Sequence, residues 1–142
     1  MKKLFLPLSL LIPALLMSFA LAGPEIKFTD MSHDFGTIPQ GTPVTHEFEF
    51  TNSGDAELVL LSVDASCGCT TPEWPKAPIA PGETGIIKAT FNAAADGPFS
   101  KSITVMTNVS SEKVVLRLKG TVEKTSKVTD DENGQELKLG GK

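Results

Sequence analysis

Val44-Thr45-His46-Glu47-Phe48-Glu49-Phe50-Thr51 decides the fold class. Val, His, Phe and Phe take every second position, and Thr, Glu, Glu and Thr fill the places between. A strand turns successive side chains to opposite faces, so this stretch is a half-buried strand with phenylalanine inside and glutamate outside.

The same period recurs on both sides of it. Ile26-Lys27-Phe28 starts a strand, and His33-Asp34-Phe35-Gly36-Thr37-Ile38 reads as its continuation or partner. Pro39 to Pro43 and Asn52-Ser53-Gly54-Asp55 are turns. Leu58 to Val63 is nearly continuous apolar, which predicts a central strand. Pro72, Pro75, Pro78 and Pro81 then exclude both a helix and a central strand, because each proline removes a backbone donor. Pro81-Gly82 has the placement of a type II turn. Alternation resumes over Thr84–Ala93, with Ile87, Ala89 and Phe91 on one face. After the turn signal Asp96-Gly97-Pro98, Ile103 and Val105 point inward, and Asn108–Ser111 connects a hairpin. Val114, Leu116 and Leu118 alternate with Val115, Arg117 and Lys119, whose charges suit a protected sheet edge.

About seven short strands with a turn roughly every ten residues predict an all-β antiparallel sandwich. Its expected core contains Phe48, Phe50, Leu60, Ile87, Phe91, Ile103, Val105 and Leu116. No sustained helical stripe competes with this reading.

The chain around this domain is of a different kind. Met1-Lys2-Lys3 is a short basic segment, Leu4 to Phe19 is apolar apart from Ser9 and Ser18, and Ala20-Leu21-Ala22 is a small-x-small cleavage site. Residues 1–22 therefore read as a secretory signal peptide, and the run is short for a membrane anchor. The domain is expected over 23–122, and the polar stretch 123–142 reads as a disordered tail. Removing Lys2 and Lys3 from the 13 basic residues leaves 11 against 17 acidic ones, a net charge of −6. Nucleic acid and anionic membranes are poor partners for such a surface. No membrane span remains after cleavage, and the expected location is periplasmic or secreted.

Ser66-Cys67-Gly68-Cys69-Thr70 holds both cysteines of the protein. An exported compartment permits them to oxidise. In an extended strand their Cβ atoms are too far apart for a disulfide, so Gly68 would have to supply a turn. The closed loop of three residues is worth only about 1.6 kcal/mol of chain entropy. Three readings stay open: a local structural role as a disulfide or as bare thiols, a soft-metal site for copper, and thiol–disulfide chemistry. Zinc would need two further ligands. The acidic neighbours Asp64 and Glu73 argue against a low thiol pKa. His33 and His46, the only histidines, read first as hydrogen-bonded rim residues and only weakly as metal ligands. Trp74 is either a partner-binding anchor or a cap over the open end of the sandwich beside the cysteines.

The order His33-Asp34-Phe35-Gly36, Phe50-Thr51-Asn52-Ser53-Gly54, Ser66-Cys67-Gly68-Cys69-Thr70, Ile79-Ala80-Pro81-Gly82-Glu83 and Leu118-Lys119-Gly120 resembles the exported bacterial domain of unknown function 1573. That family is similar to the immunoglobulin-like domains of the ASPM/SPD-2/Hydin and major sperm protein type. The resemblance spans about residues 26 to 122 and implies an immunoglobulin-like sandwich with no established reaction. Neither an acid/base carboxylate pair, a nucleophile elbow nor a phosphate loop stands in the chain. The expectation is a non-catalytic module with a protein partner and no cofactor. The alternative is copper or zinc binding, or thiol–disulfide exchange, at Cys67 and Cys69.

Overall fold

The computed structural model describes residues 23–109 and 113–125. The readings placed on residues 1–22, on 110–112 and on 126–142 lie outside these described residues. Alternating sequence has become eight strands: β1 (Ile26–Phe28), β2 (Ser32–Pro39), β3 (Val44–Asn52), β4 (Leu60–Ala65), β5 (Thr70–Glu73), β6 (Thr84–Phe91), β7 (Gly97–Thr107) and β8 (Val114–Glu123). One sheet has the order β1-β3-β6-β5 and the other β2-β8-β7-β4.

The inward faces of the two sheets close on each other. Phe48, Phe50, Ile87 and Ala89 come from the first sheet, and Leu60, Val63, Ile103, Val105, Leu116 and Leu118 from the second. All eight core residues expected from the alternation are buried. The fold is an immunoglobulin-like β-sandwich. A smaller cluster of Ile38, Phe91, Ala93 and Val122 packs at one end, against Phe35, Phe99 and Cys69.

Four strands sit elsewhere than their sequences suggested. β1 and β2 are neither continuous nor paired: β1 joins β3, while β2 crosses to the other sheet and runs parallel to β8. The chain between β2 and β8 supplies the long connection that a parallel pair requires. β4 is an edge strand and not a central one. Its apolar run is explained by Leu58, Leu60 and Val63 facing the core, while the irregular register between Leu60 and Ser62 leaves Leu61 61% exposed. β8 is interior, held by β2 on one side and β7 on the other, so Arg117 and Lys119 decorate an outer face and guard no edge.

The proline-rich stretch behaves as its chemistry demands. Pro72 lies in β5, the short edge strand, where its missing donor breaks no ladder. Glu83 donates its N–H to the Ala80 carbonyl at 3.0 Å, and Gly82 has φ +79°, which makes the Pro81-Gly82 turn type II.

Asn52, which the sequence presents as a turn residue, is fully buried. Its Nδ2 donates to the carbonyls of Ala56 at 2.8 Å and Ile79 at 2.9 Å. Its Oδ1 accepts the Gly54 N–H at 3.0 Å and the Glu25 N–H at 3.4 Å. One side chain thus ties the approach to β1, the loop after β3 and the segment before the Pro81 turn.

Candidate functional site

β4 ends at Ala65, and the chain bends through Ser66-Cys67-Gly68-Cys69 before entering β5 at Thr70. Thr70 donates its N–H to the Cys67 carbonyl at 3.4 Å, which closes the turn that Gly68 was expected to permit. Cys67 and Cys69 are joined as a disulfide, with Cα atoms 5.3 Å apart. Ser66 anchors the approach: its N–H donates to the Ser102 carbonyl at 2.8 Å and its Oγ accepts the Ser102 N–H at 3.1 Å. Both cysteines are half-buried. The Thr70 hydroxyl lies 4.0 Å from Cys67 Sγ.

Cys69 forms part of the wall of a cavity of about 180 Å³, together with Phe91, Asn92, Pro98, Phe99 and Lys101. Phe91 and Phe99 stack there with ring centroids 4.1 Å apart. The loop between β6 and β7 completes the wall in a held conformation. Ala93 is fully buried at φ +51°, an unfavourable place for a residue with a Cβ. Three contacts fix it there. Asn92 donates its N–H to the Cys69 carbonyl at 3.0 Å, Gly41 donates to the Ala93 carbonyl at 2.8 Å, and Gln40 Nε2 donates to the Ala94 carbonyl at 2.9 Å. A larger and shallower depression lies across Asp34, Gly36, Lys119 and Gly120, and the Asp34–Lys119 ion pair at 3.5 Å is its main polar feature.

The two acidic neighbours of the cysteines lie on the strands that flank the turn. Glu73 stands at the far end of β5, opposite Lys88, and Asp64 lies opposite Thr104 on β4. Asp96, near the cavity, is paired with Lys124 at 3.4 Å. Lys101 makes no ion pair with a described residue.

His33 on β2 and His46 on β3 meet across the two sheets, rings stacked at 3.8 Å and 8° from parallel. His33 rests on the edge of Phe35 and His46 on that of Phe48, as their shared strand parity predicts. His46 Nε2 lies 3.3 Å from Asp30 Oδ1. Burial lowers the pKa of His33, and the nearby His46 lowers it further, while Asp30 and Asp34 pull the other way. Of the two, His46 alone makes a side-chain hydrogen bond among the described residues, and His33 is held by ring contacts. Among the described residues no group of three or more His, Cys, Asp or Glu side chains converges.

Trp74 packs against the main core with Lys76 Nζ over its ring, 2.9 Å from the centroid. It does not sit with the cysteines: Cys69 packs on the smaller cluster and Trp74 on the larger, with β5 between them.

An immunoglobulin-like sandwich with a disulfide turn at one rim is the class that this fold and site define. The chain belongs to the family of proteins of unknown function DUF1573, which matches residues 26–122. Similar solved structures include a protein of unknown function from Porphyromonas gingivalis W83, with TM-score 0.62 and 17% identity over 70% of this chain and 47% of that one. Another is the ASH/PapD-like domain 7 of human CEP192, with TM-score 0.57 and 13% identity over 71% of this chain and 87% of that domain. A third is the Vibrio cholerae VesB protease, with TM-score 0.53 and 16% identity over 69% and 31%. At these identities the likeness is one of fold. The chain spans about half the length of the Porphyromonas chain. No curated protein matches it. The family's description assigns no function, and among the described residues no helix is long and apolar enough to cross a membrane.

Proposed function

We propose that this domain is a non-catalytic, exported protein-contact module that works in the periplasm or outside the cell. The observation that carries the reading is the difference between its two outer faces. The first sheet presents Glu47, Lys88, Glu49 and Glu73 around one exposed apolar side chain, Ile86, with Glu47 and Lys88 paired at 3.1 Å. The second presents Leu61 at the irregularity of edge strand β4, then Met106 on β7 and Val115 on β8. Ser62 lies opposite Met106, and Val115 opposite Thr104, so these side chains share one end of one face. Apolar residues grouped on an outer face beside an open strand edge suit a protein partner, by packing or by strand addition.

The test is site-specific photo-crosslinking in the exported protein. A crosslinker at position 61 is expected to capture a discrete partner, and one at position 47 is not. Met106→Lys should abolish the crosslink at 61 without unfolding the domain. Equal crosslinking at both positions, or none from folded protein, would reject the reading. The competing idea of copper or zinc at Cys67 and Cys69 requires both sulfurs as thiolates, so it applies to the reduced protein alone.

A further inference from the structure

The disulfide does little for the fold. It joins residues two apart in sequence, and the Cys67 carbonyl already accepts the Thr70 N–H that closes the same turn. A sandwich with a continuous core from both sheets has no need of so small a ring. Its sulfurs are not sealed either, because both cysteines are half-buried and Cys69 stands in a cavity wall. Structural disulfides resist reduction, whereas exposed ones with small cross-linking benefit are the labile ones.

We propose that Cys67–Cys69 is a thiol–disulfide exchange site, attacked at Cys69 by a cysteine thiolate carried on an apolar peptide segment. The geometry distinguishes the two sulfurs. Cys69 borders the cavity, whose stacked Phe91 and Phe99 and whose Pro98 offer apolar contact to residues flanking the incoming cysteine. Lys101 is the cation lining that cavity and favours approach of a thiolate, while Asp96, which lines it too, is paired with Lys124. Cys67 lies beside the Thr70 hydroxyl, 97% of whose residue is shielded from solvent, and that hydroxyl donates to a thiolate forming on Cys67 Sγ. The sulfur that leaves is therefore the one with a donor waiting.

The step balances as follows. The incoming thiol gives its proton to solvent, and its sulfur bonds to Cys69 Sγ. The Cys67–Cys69 bond breaks, its electron pair goes to Cys67 Sγ, and a mixed disulfide remains on Cys69. Attack by Cys67 on Cys69 reverses the step. Attack by a second thiolate on the incoming sulfur instead releases a new disulfide, and the two protein thiolates take up protons. Two electrons pass from the two incoming thiols to the protein. In the reverse sequence the two protein thiols reduce a partner's disulfide to its two thiols and re-form the Cys67–Cys69 bond. This inference does not depend on the contact face of the second sheet.

The experiment uses the mature oxidised chain and two probes, reduced glutathione and a cysteine peptide with a phenylalanine on each side. Exchange is quenched with acid, and adducts are located by peptide mass spectrometry. The expected result is reduction by millimolar glutathione, a faster reaction with the aromatic peptide, and the trapped adduct on Cys69. Thr70→Val keeps the side-chain shape and should slow adduct formation by about tenfold through loss of one charge-assisted hydrogen bond. Circular dichroism confirms that this variant is folded. A disulfide that resists glutathione overturns the proposal, as does an adduct mainly on Cys67 or a folded Thr70→Val variant that reacts at the wild-type rate.

Discussion

Replacing Asn52 by alanine removes four hydrogen bonds from a fully buried position. Three are well formed, at 2.8, 2.9 and 3.0 Å, and one is long at 3.4 Å. Each good bond contributes about 1 kcal/mol net, and a partner left dry costs more. The Ile79 carbonyl loses its partner in a buried setting, whereas the contacts to Ala56, Gly54 and Glu25 are part-buried and water can restore some of them. The expected loss is about 2–4 kcal/mol, or roughly 10–25 °C in Tm for a domain of this size. The assay is urea unfolding of residues 23–142 followed by fluorescence of Trp74, the single tryptophan, with the slope unchanged. Asn52→Asp sharpens the test. A carboxylate only accepts, so it would face the Ala56 and Ile79 carbonyls without a proton to offer. Its folded pKa is then raised, so the variant is worst at neutral pH and recovers stability as pH falls through that folded value. An Asn52→Ala loss below about 1 kcal/mol would refute the reasoning. So would an Asn52→Asp variant whose stability follows that of the alanine variant at every pH.

The double variant Cys67→Ser, Cys69→Ser should keep its β-type circular dichroism and lose less than about 3 kcal/mol, since so short a loop constrains the unfolded chain little; failure to fold would make the disulfide the main staple. Gly120→Ala places a Cβ 2.8 Å from the Gly36 carbonyl oxygen and 2.9 Å from the Phe99 ring, so a loss of about 1–3 kcal/mol is expected in the same urea titration. His33 binds its proton less tightly folded than unfolded, so stability is whole above about pH 6.5 and falls as pH drops through the lowered folded value. His33→Gln should flatten that part of the stability–pH curve, and an unchanged curve would remove the stacked histidines as its cause. Asp34 is also lowered, first by the Gly36 N–H at 2.9 Å, so its contribution fades separately in more acid solution. Amino-terminal sequencing of exported protein should start at Gly23, and a retained Met1 would reject cleavage after Ala22.

Sequence by itself determined what depends on near neighbours. The period of two from Val44 to Thr51 fixed which side chains face inward, because a strand reverses its face at each residue. Proline placed Pro72 on an edge, and Pro81-Gly82 set its own turn, through the fixed φ of one residue and the free φ of the next. Gly68 was legible as the condition for joining two cysteines so close together. Only the tertiary structure decided adjacency. Nothing local tells Ser32–Pro39 to cross sheets and run parallel to β8, or makes the apolar Leu58–Val63 run an edge. Asn52 looks like any turn asparagine until Ile79, distant in the chain, brings it a carbonyl. The stacked histidines, and the cavity that sets Cys69 beside Phe91, Phe99 and Lys101, likewise join residues far apart in sequence. Such contacts arise from burying both sheet faces together, a constraint on the whole chain that no short window of it carries.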